Sequence, residues 1–318
     1  MKKSLKFMSL GLAVIPCALM LTACGGENPE KNLIDITGDY TEVESTEYSA
    51  VLDEVAQGFD LNEIAKGIQA VIKINAESTI SGMGKISLEL KNESIAKGNS
   101  SEGVLNTGDI EVYTGMGLKF NLDSEVEGLE DEEMSGSFKQ YIKDGYQYFD
   151  YSKIGDLGNM MGSDSSTPDK YKVSLNGELP SQIVIPEFDL GEYLAYIPEG
   201  EWGETLIVSK CATATGYKIK VSAAKDTLNA YAAEIEEVNL VFSKDIELYM
   251  IYENEQFAGL YLDTAATVTV AIPEDSIYYQ MFGSSLTANV SVSAEIAGFN
   301  GEIKYPKLSS FVDLTEPE

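Results

Sequence analysis

The spacing of hydrophobic and polar positions changes several times along this chain, and each change predicts an element. Residues 7–20 form an apolar run behind Lys2, Lys3 and Lys6, too short to span a bilayer comfortably as a permanent helix. Val51, Leu52, Val55, Leu61, Ile64, Ala65, Ile68 and Ile72 recur at three- and four-residue spacing with a break near Gly58, which predicts a helical stretch. Asp60 followed by Glu63 resembles a helix-start box. From Ala76 the period becomes two. Ile86, Leu88 and Leu90 alternate with Ser87, Glu89 and Lys91, and Leu118, Phe120 and Leu122 alternate with Lys119, Asn121 and Asp123, so both runs predict strands with one wet face. Lys143-Asp144-Gly145 between residues 138–142 and 146–151 predicts a hairpin.

Residues 152–169, rich in Ser, Gly, Met and Asp, predict a loop, and Pro180, Pro186 and Pro198 break up a connecting region whose strands would be short. The last third repeats the logic. Residues 217–221 predict a strand, and Leu228, Tyr231, Ala232 and Ile235 share one face of a helix over 226–238. Strands are predicted at 240–242, 246–252, 257–262 and 267–272, with a second hairpin at Asn300-Gly301 between 289–299 and 302–305. With few helices, many strands and short turns, the sheet should be antiparallel.

The start of the chain carries an address. A basic start, an apolar centre and small residues before a cysteine are the marks of an export signal. Leu21-Thr22-Ala23-Cys24 resembles the lipobox of bacterial lipoproteins. That resemblance implies acylation (palmitate or a similar chain) at Cys24, cleavage before it, and attachment to the outer face of the cell membrane. Each buried methylene is worth about 0.8 kcal/mol, so one acyl chain holds weakly and two hold stably. The organisation is then a signal peptide over 1–23, a flexible acidic tether over 24–45 and a single β-rich domain over 46–318.

Composition removes whole classes of function. Without residues 1–23 the chain keeps 19 basic and 52 acidic residues, a formal charge of −33. Every basic residue is lysine, and there is neither arginine nor histidine. A polyanion cannot neutralise nucleic-acid phosphates, which excludes DNA and RNA as partners. The absence of histidine removes the usual general base, the Ser-His-Asp and Cys-His arrangements and the commonest metal ligand. Cys211 is the one thiol left beyond Cys24, so no internal disulfide is available and the fold must rest on its core. In a strand-like context this thiol reads as a small buried packing residue.

Local motifs add little chemistry. Gly82-Met-Gly-Lys85-Ile-Ser87 lacks the Ser or Thr directly after Lys and the earlier Gly that a phosphate loop requires, so it reads as a tight turn. Glu130 to Glu133 are consecutive rather than spaced as a calcium loop, and read as a solvated acidic turn. Among 52 acids some pair always lies at glycosidase spacing, so that spacing is no evidence. Aromatic residues say more. Tyr146, Tyr148, Phe149 and Tyr151, and Leu248, Tyr249, Met250, Ile251 and Tyr252, make two strands apolar or amphipathic on both faces. Such strands are sandwiched, or line a hollow that Met160 and Met161 would cap.

The order of elements resembles the LolA-like superfamily of periplasmic and surface lipoproteins. The resemblance rests on the lipobox, the tether, an N-terminal helix before a strand meander, the Tyr-Ile-Lys-Asp-Gly-Tyr-Gln-Tyr-Phe hairpin at 141–149, and a late helix running into strand pairs at 239–270. It implies an α+β, mainly β fold: a curved antiparallel half-barrel with a few covering helices, whose hollow holds lipid or acyl chains in several members. Tyr146, Tyr148, Leu248, Tyr249 and Met250 are then the candidate ligand-binding residues, with Cys24 the lipid attachment site. No catalytic residue is carried over, so a non-catalytic, monomeric binding protein without cofactor is expected. The rival readings are an envelope interaction lipoprotein with a solid core and a carboxylate-based glycan hydrolase.

Overall fold

The computed structural model describes residues 33–48, 50–51, 54, 66–80, 84–98, 100–101, 104–125, 130–155, 168–175, 182–184, 206–233, 239–254, 256–272, 274–275, 279 and 284–315. Cys24, Met160, Met161 and most of the 180–198 region lie outside these residues, as do the start of the tether and most of the first helical stretch.

The order along the chain is β1 (Thr41–Glu42), β2 (Ile68–Ile80), β3 (Gly84–Lys97), β4 (Ser100–Ser101), β5 (Val104–Asn106) and β6 (Glu111–Ser124). Next come β7 (Glu132–Lys143), β8 (Tyr146–Lys153), β9 (Lys170–Ser174), β10 (Gln182–Val184), β11 (Leu206–Ala212) and β12 (Gly216–Ala223). A helix α1 (Lys225–Ala232) precedes β13 (Asn239–Phe242), β14 (Ile246–Glu253), β15 (Gln256–Ala271), β16 (Ser285–Gly298) and β17 (Val312–Asp313).

Fourteen of these strands form one curved, open sheet in the order β1-β11-β12-β14-β15-β16-β2-β3-β6-β7-β8-β9-β17, with β13 beside β15. Its pairs are antiparallel except β17 with β9. The short β4, β5 and β10 make a second, three-stranded sheet. Two-residue strands lie at both ends of the main sheet, β1 beside β11 and β17 beside β9.

The alternating runs at 86–90 and 118–122 lie in β3 and β6 as expected. Lys143 pairs with Tyr146 across Asp144 and Gly145, whose φ angles of 52° and 74° make the hairpin turn the sequence predicts. The predicted strands at 257–262 and 267–272 fuse into one 16-residue β15, because β16 pairs with it without a break from Gly259 to Ala271.

Two expectations are corrected. Ile68 and Ile72, placed in a helix by their spacing, sit in β2. Ala70, Ile72 and Ile74 also alternate, and partners on both sides made the period of two win. Asn300-Gly301 is not a hairpin: β16 ends at Gly298, and residues 302–305 are not a strand. Both edges of β16 are occupied, by β15 and β2, so the returning chain finds no edge to pair with.

Opposed residues of antiparallel strands point to the same side, which sorts the sheet into two faces. On one, the core face, Val208, Ile219, Met250, Tyr252, Leu260, Leu262, Ala294 and Ile72 pack together with Leu228 of α1 and with Tyr48 and Val51 of the segment before β2. On the other, the strap face, two irregular segments lie across the strands. Residues 33–40, expected in the tether, form the first. The Leu33 amide donates to the Glu295 carboxylate (2.6 Å), Lys218 donates to Asp35 (3.2 Å) and to the Thr37 carbonyl (2.8 Å), and the Tyr40 ring meets Tyr249 edge-on at 5.7 Å. Residues 299–315 form the second. The Phe299 amide donates to the Gly67 carbonyl, Lys97 donates to the Gly301 carbonyl, and Phe311 meets Tyr148 edge-on at 5.4 Å before β17 joins the sheet.

Candidate functional site

The core face is covered by its cluster over β11 to β16 and β2. The same face continues across β3, β6, β7, β8 and β9 with apolar side chains in register. Leu88 opposes Phe120, which opposes Met134; Leu90 opposes Leu118; Ile86 opposes Leu122; Met116 opposes Phe138. All of these are half-buried, and none belongs to either packed cluster of the described residues. The row ends in near-parallel aromatic rings. Phe138 stacks on Tyr151 at 5.3 Å, Phe149 on Tyr171 at 4.9 Å, and Tyr151 lies 6.1 Å from Tyr171. Strands spaced about 4.8 Å apart bring opposed rings to stacking distance without further help.

One step along β3, and two along β6 past Met116, the same face turns polar. Asn92 follows Leu90 in phase, and Ser94 opposes Thr114 beyond it. Asn92, Ser94 and Thr114 are all buried, and Ser94 donates to the Asn92 carbonyl oxygen at 3.2 Å. The Asn92 amide nitrogen has no hydrogen-bond partner among the described residues. Sequence reasoning missed these three, although the signal was present: the apolar phase of β3 runs Ile86, Leu88, Leu90 and then meets Asn92 and Ser94.

The five candidate ligand residues are not brought together. Tyr146 and Tyr148 lie on β8 in an aromatic cluster with Tyr141 and Phe311 on the strap face. Leu248 and Met250 pack in the core cluster, while Tyr249 of the same strand points the other way, under Tyr40. β14 and β8 stand seven strands apart, a path of about 34 Å along the sheet at ordinary strand spacing. The two-faced strands therefore have a common cause: each is covered on its second face by a strap.

The strap face is where charge is arranged. Lys172 sits 3.9 Å from the Tyr146 ring centroid and pairs with Asp313 at 3.0 Å, and Lys143 lies over the Tyr305 ring at 4.4 Å. Burial pushes the Tyr141 hydroxyl up to about 12. Burial does the same to Tyr40, with the Cys211 sulfur and Tyr249 adding to it. At the β3–β6 end a polar cleft of about 330 Å³ is lined by Lys66, Lys97, Asp109, Glu111 and Asp144, a setting that would reject an acyl chain. No group of three or more metal-ligating side chains occurs among the described residues, and no described helix is long and apolar enough to cross a membrane.

Fold and faces together define a mainly β protein built on one curved, open antiparallel sheet whose apolar face the described residues cover only in part. No family model matches the chain, and no curated protein sequence matches it. Among solved structures it is similar to LprF from Mycobacterium bovis, at 8% identity over 83% of this chain and 97% of that one, with a TM-score of 0.24. It is also similar to DynF of the dynemicin biosynthesis pathway of Micromonospora chersina, at 10% identity over 87% and 93%, with a TM-score of 0.16. Superpositions this loose leave the question of function to the residues of the chain itself.

Proposed function

We propose that this chain is a lipid-anchored, extracytoplasmic binding protein without catalytic activity, holding an apolar or acyl-chain ligand against the open stretch of its core face. Cys24 carries the anchor in this reading. The observation that supports it is the half-exposed patch of Leu88, Leu90, Leu118, Phe120, Leu122, Met134, Phe138 and Phe149, continuous with the buried core. Single exposed apolar side chains are ordinary, whereas a contiguous patch on one sheet face marks a binding surface. Burying such area yields about 25 cal/mol per Å², with no charge required.

The test is saturable binding of a neutral, environment-sensitive acyl probe to the full chain, at low and at high salt. Binding should be nearly independent of salt, because burial drives it. Phe120→Ser should weaken it about tenfold or more, the lost burial of one large apolar side chain. No saturable binding, or binding that fades as salt rises, would overturn the reading.

A further inference from the structure

The ligand surface has a polar end whose chemistry is unsatisfied. Asn92 is 2% exposed, and Ser94 and Thr114 beside it are 5% and 3% exposed. They continue the row that Leu88 and Leu90 begin on β3 and that Leu118 and Phe120 begin on β6. Successive same-face residues stand about 7 Å apart along a strand, so the polar group lies one step from the leucines. Ser94 donates to the Asn92 side-chain oxygen, and the amide nitrogen meets no acceptor among the described residues. A buried donor left unmade is costly, whereas most buried polar groups find partners.

Resting on the acyl-binding reading above, we propose that the Asn92 amide is the anchor for the head of that ligand, and that the head presents an uncharged carbonyl acceptor, an ester or an amide. An acceptor is required because the free group is a donor. An uncharged head is favoured because the chain is strongly acidic overall, and because the nearest buried polar groups (Ser94 and Thr114) bring no cation to balance a carboxylate. The leucine and phenylalanine rows then hold the apolar tail, and the site reads an amphiphile from both ends.

The experiment uses the full-length chain in phosphatidylcholine vesicles and two photoactivatable sixteen-carbon probes of equal length, a methyl ester and the matching methyl ether. Labelling of the peptides containing residues 84–97 and 111–124 is read by mass spectrometry. The ester should label them about tenfold more than the ether at equal membrane content, the selectivity of one buried hydrogen bond. Asn92→Leu should bring that ratio close to one by lowering ester labelling. Equal labelling by both probes in the wild-type chain, or an ester preference that survives Asn92→Leu, would overturn the anchor and leave the acyl reading standing. Absence of labelling on these strands by either probe would overturn the acyl reading beneath it.

Discussion

Cys211 shows how much one side chain depends on what lies across it. It sits on the strap face, paired across the strand gap with Lys218, and is 8% exposed. Its cover is the first strap. A Cβ added at Gly38 would stand 2.6 Å from the Cys211 sulfur, closer than real Cβ contacts come. Gly38→Ala should therefore lift this part of the strap, and a bulky thiol reagent should label Cys211 faster in the variant than in the parent. Cys211→Ala should cost about 1 kcal/mol or somewhat more, the removal of one small buried group. Rapid labelling of the parent chain, or equal rates in the two, would remove the strap from its place over the thiol. From the sequence, burial of this thiol could be expected from its context, but its cover could not, because Gly38 is 173 positions away and lies in a stretch with no periodicity.

Among the elements, the straps are the ones that pattern does not announce. Each is pinned by an Asp–Lys pair to the strand beneath it: Asp35 to Lys218, Asp313 to Lys172. Hydrogen bonds from Thr37, then from Lys218, hold the Asp35 carboxyl at about 2, against an ordinary 3.8. Thr315 and then Lys172 do the same for Asp313. A carboxyl depressed by folding stabilises the docked form fully above its unfolded value of 3.8, and that contribution disappears as pH falls toward about 2. Hydrogen exchange of residues 33–40 and 305–315 should thus rise between about pH 4 and pH 2, ahead of the exchange of β2 and β16. Protection that is flat over that window would show that apolar contacts alone hold the straps. Both aspartates are exposed, so added salt should weaken the effect. The strands themselves were legible where one face is wet, as in β3 and β6. They were misread at Ile68 and Ile72, whose spacing of four satisfies both periods, so that only the neighbouring strands decide.

At the scale of the whole molecule, the wide sheet divides its labour between its faces. One half of the core face is sealed by α1 and the segment at Tyr48 and Val51, and the other half is left to a ligand in the function proposed above. The strap face receives the chain from the membrane side in that same proposal. From Cys24 to Leu33 the backbone can reach about 30 Å at full extension, so an anchored domain would stay within a bilayer thickness of the surface. Cys24→Ala should release the protein from membranes or leave it uncleaved. A variant that fractionates and migrates like the parent would refute the anchor.

What the sequence determined by itself is local and compositional. Alternation set the wet and dry sides of β3 and β6, Asp144-Gly145 set one hairpin, and the lack of histidine and arginine removed whole chemistries whatever the fold. What only the tertiary structure decided is non-local. The two strands with no wet face, β8 and β14, read in sequence as sandwiched or as walls of one hollow, and the structure buries each on its second face under a different strap, seven strands apart in the sheet. Asn300-Gly301 carries turn chemistry, yet β16 had no edge left to pair with. Asn92 is polar in the sequence, and only the pairing of β2, β3 and β6 placed it at the end of an apolar row, its amide nitrogen without a partner among the described residues. The physical reason is the same in all three cases. Side-chain period is a property of a few consecutive residues, whereas cover, edge and cavity belong to segments that meet only after the chain has closed long loops.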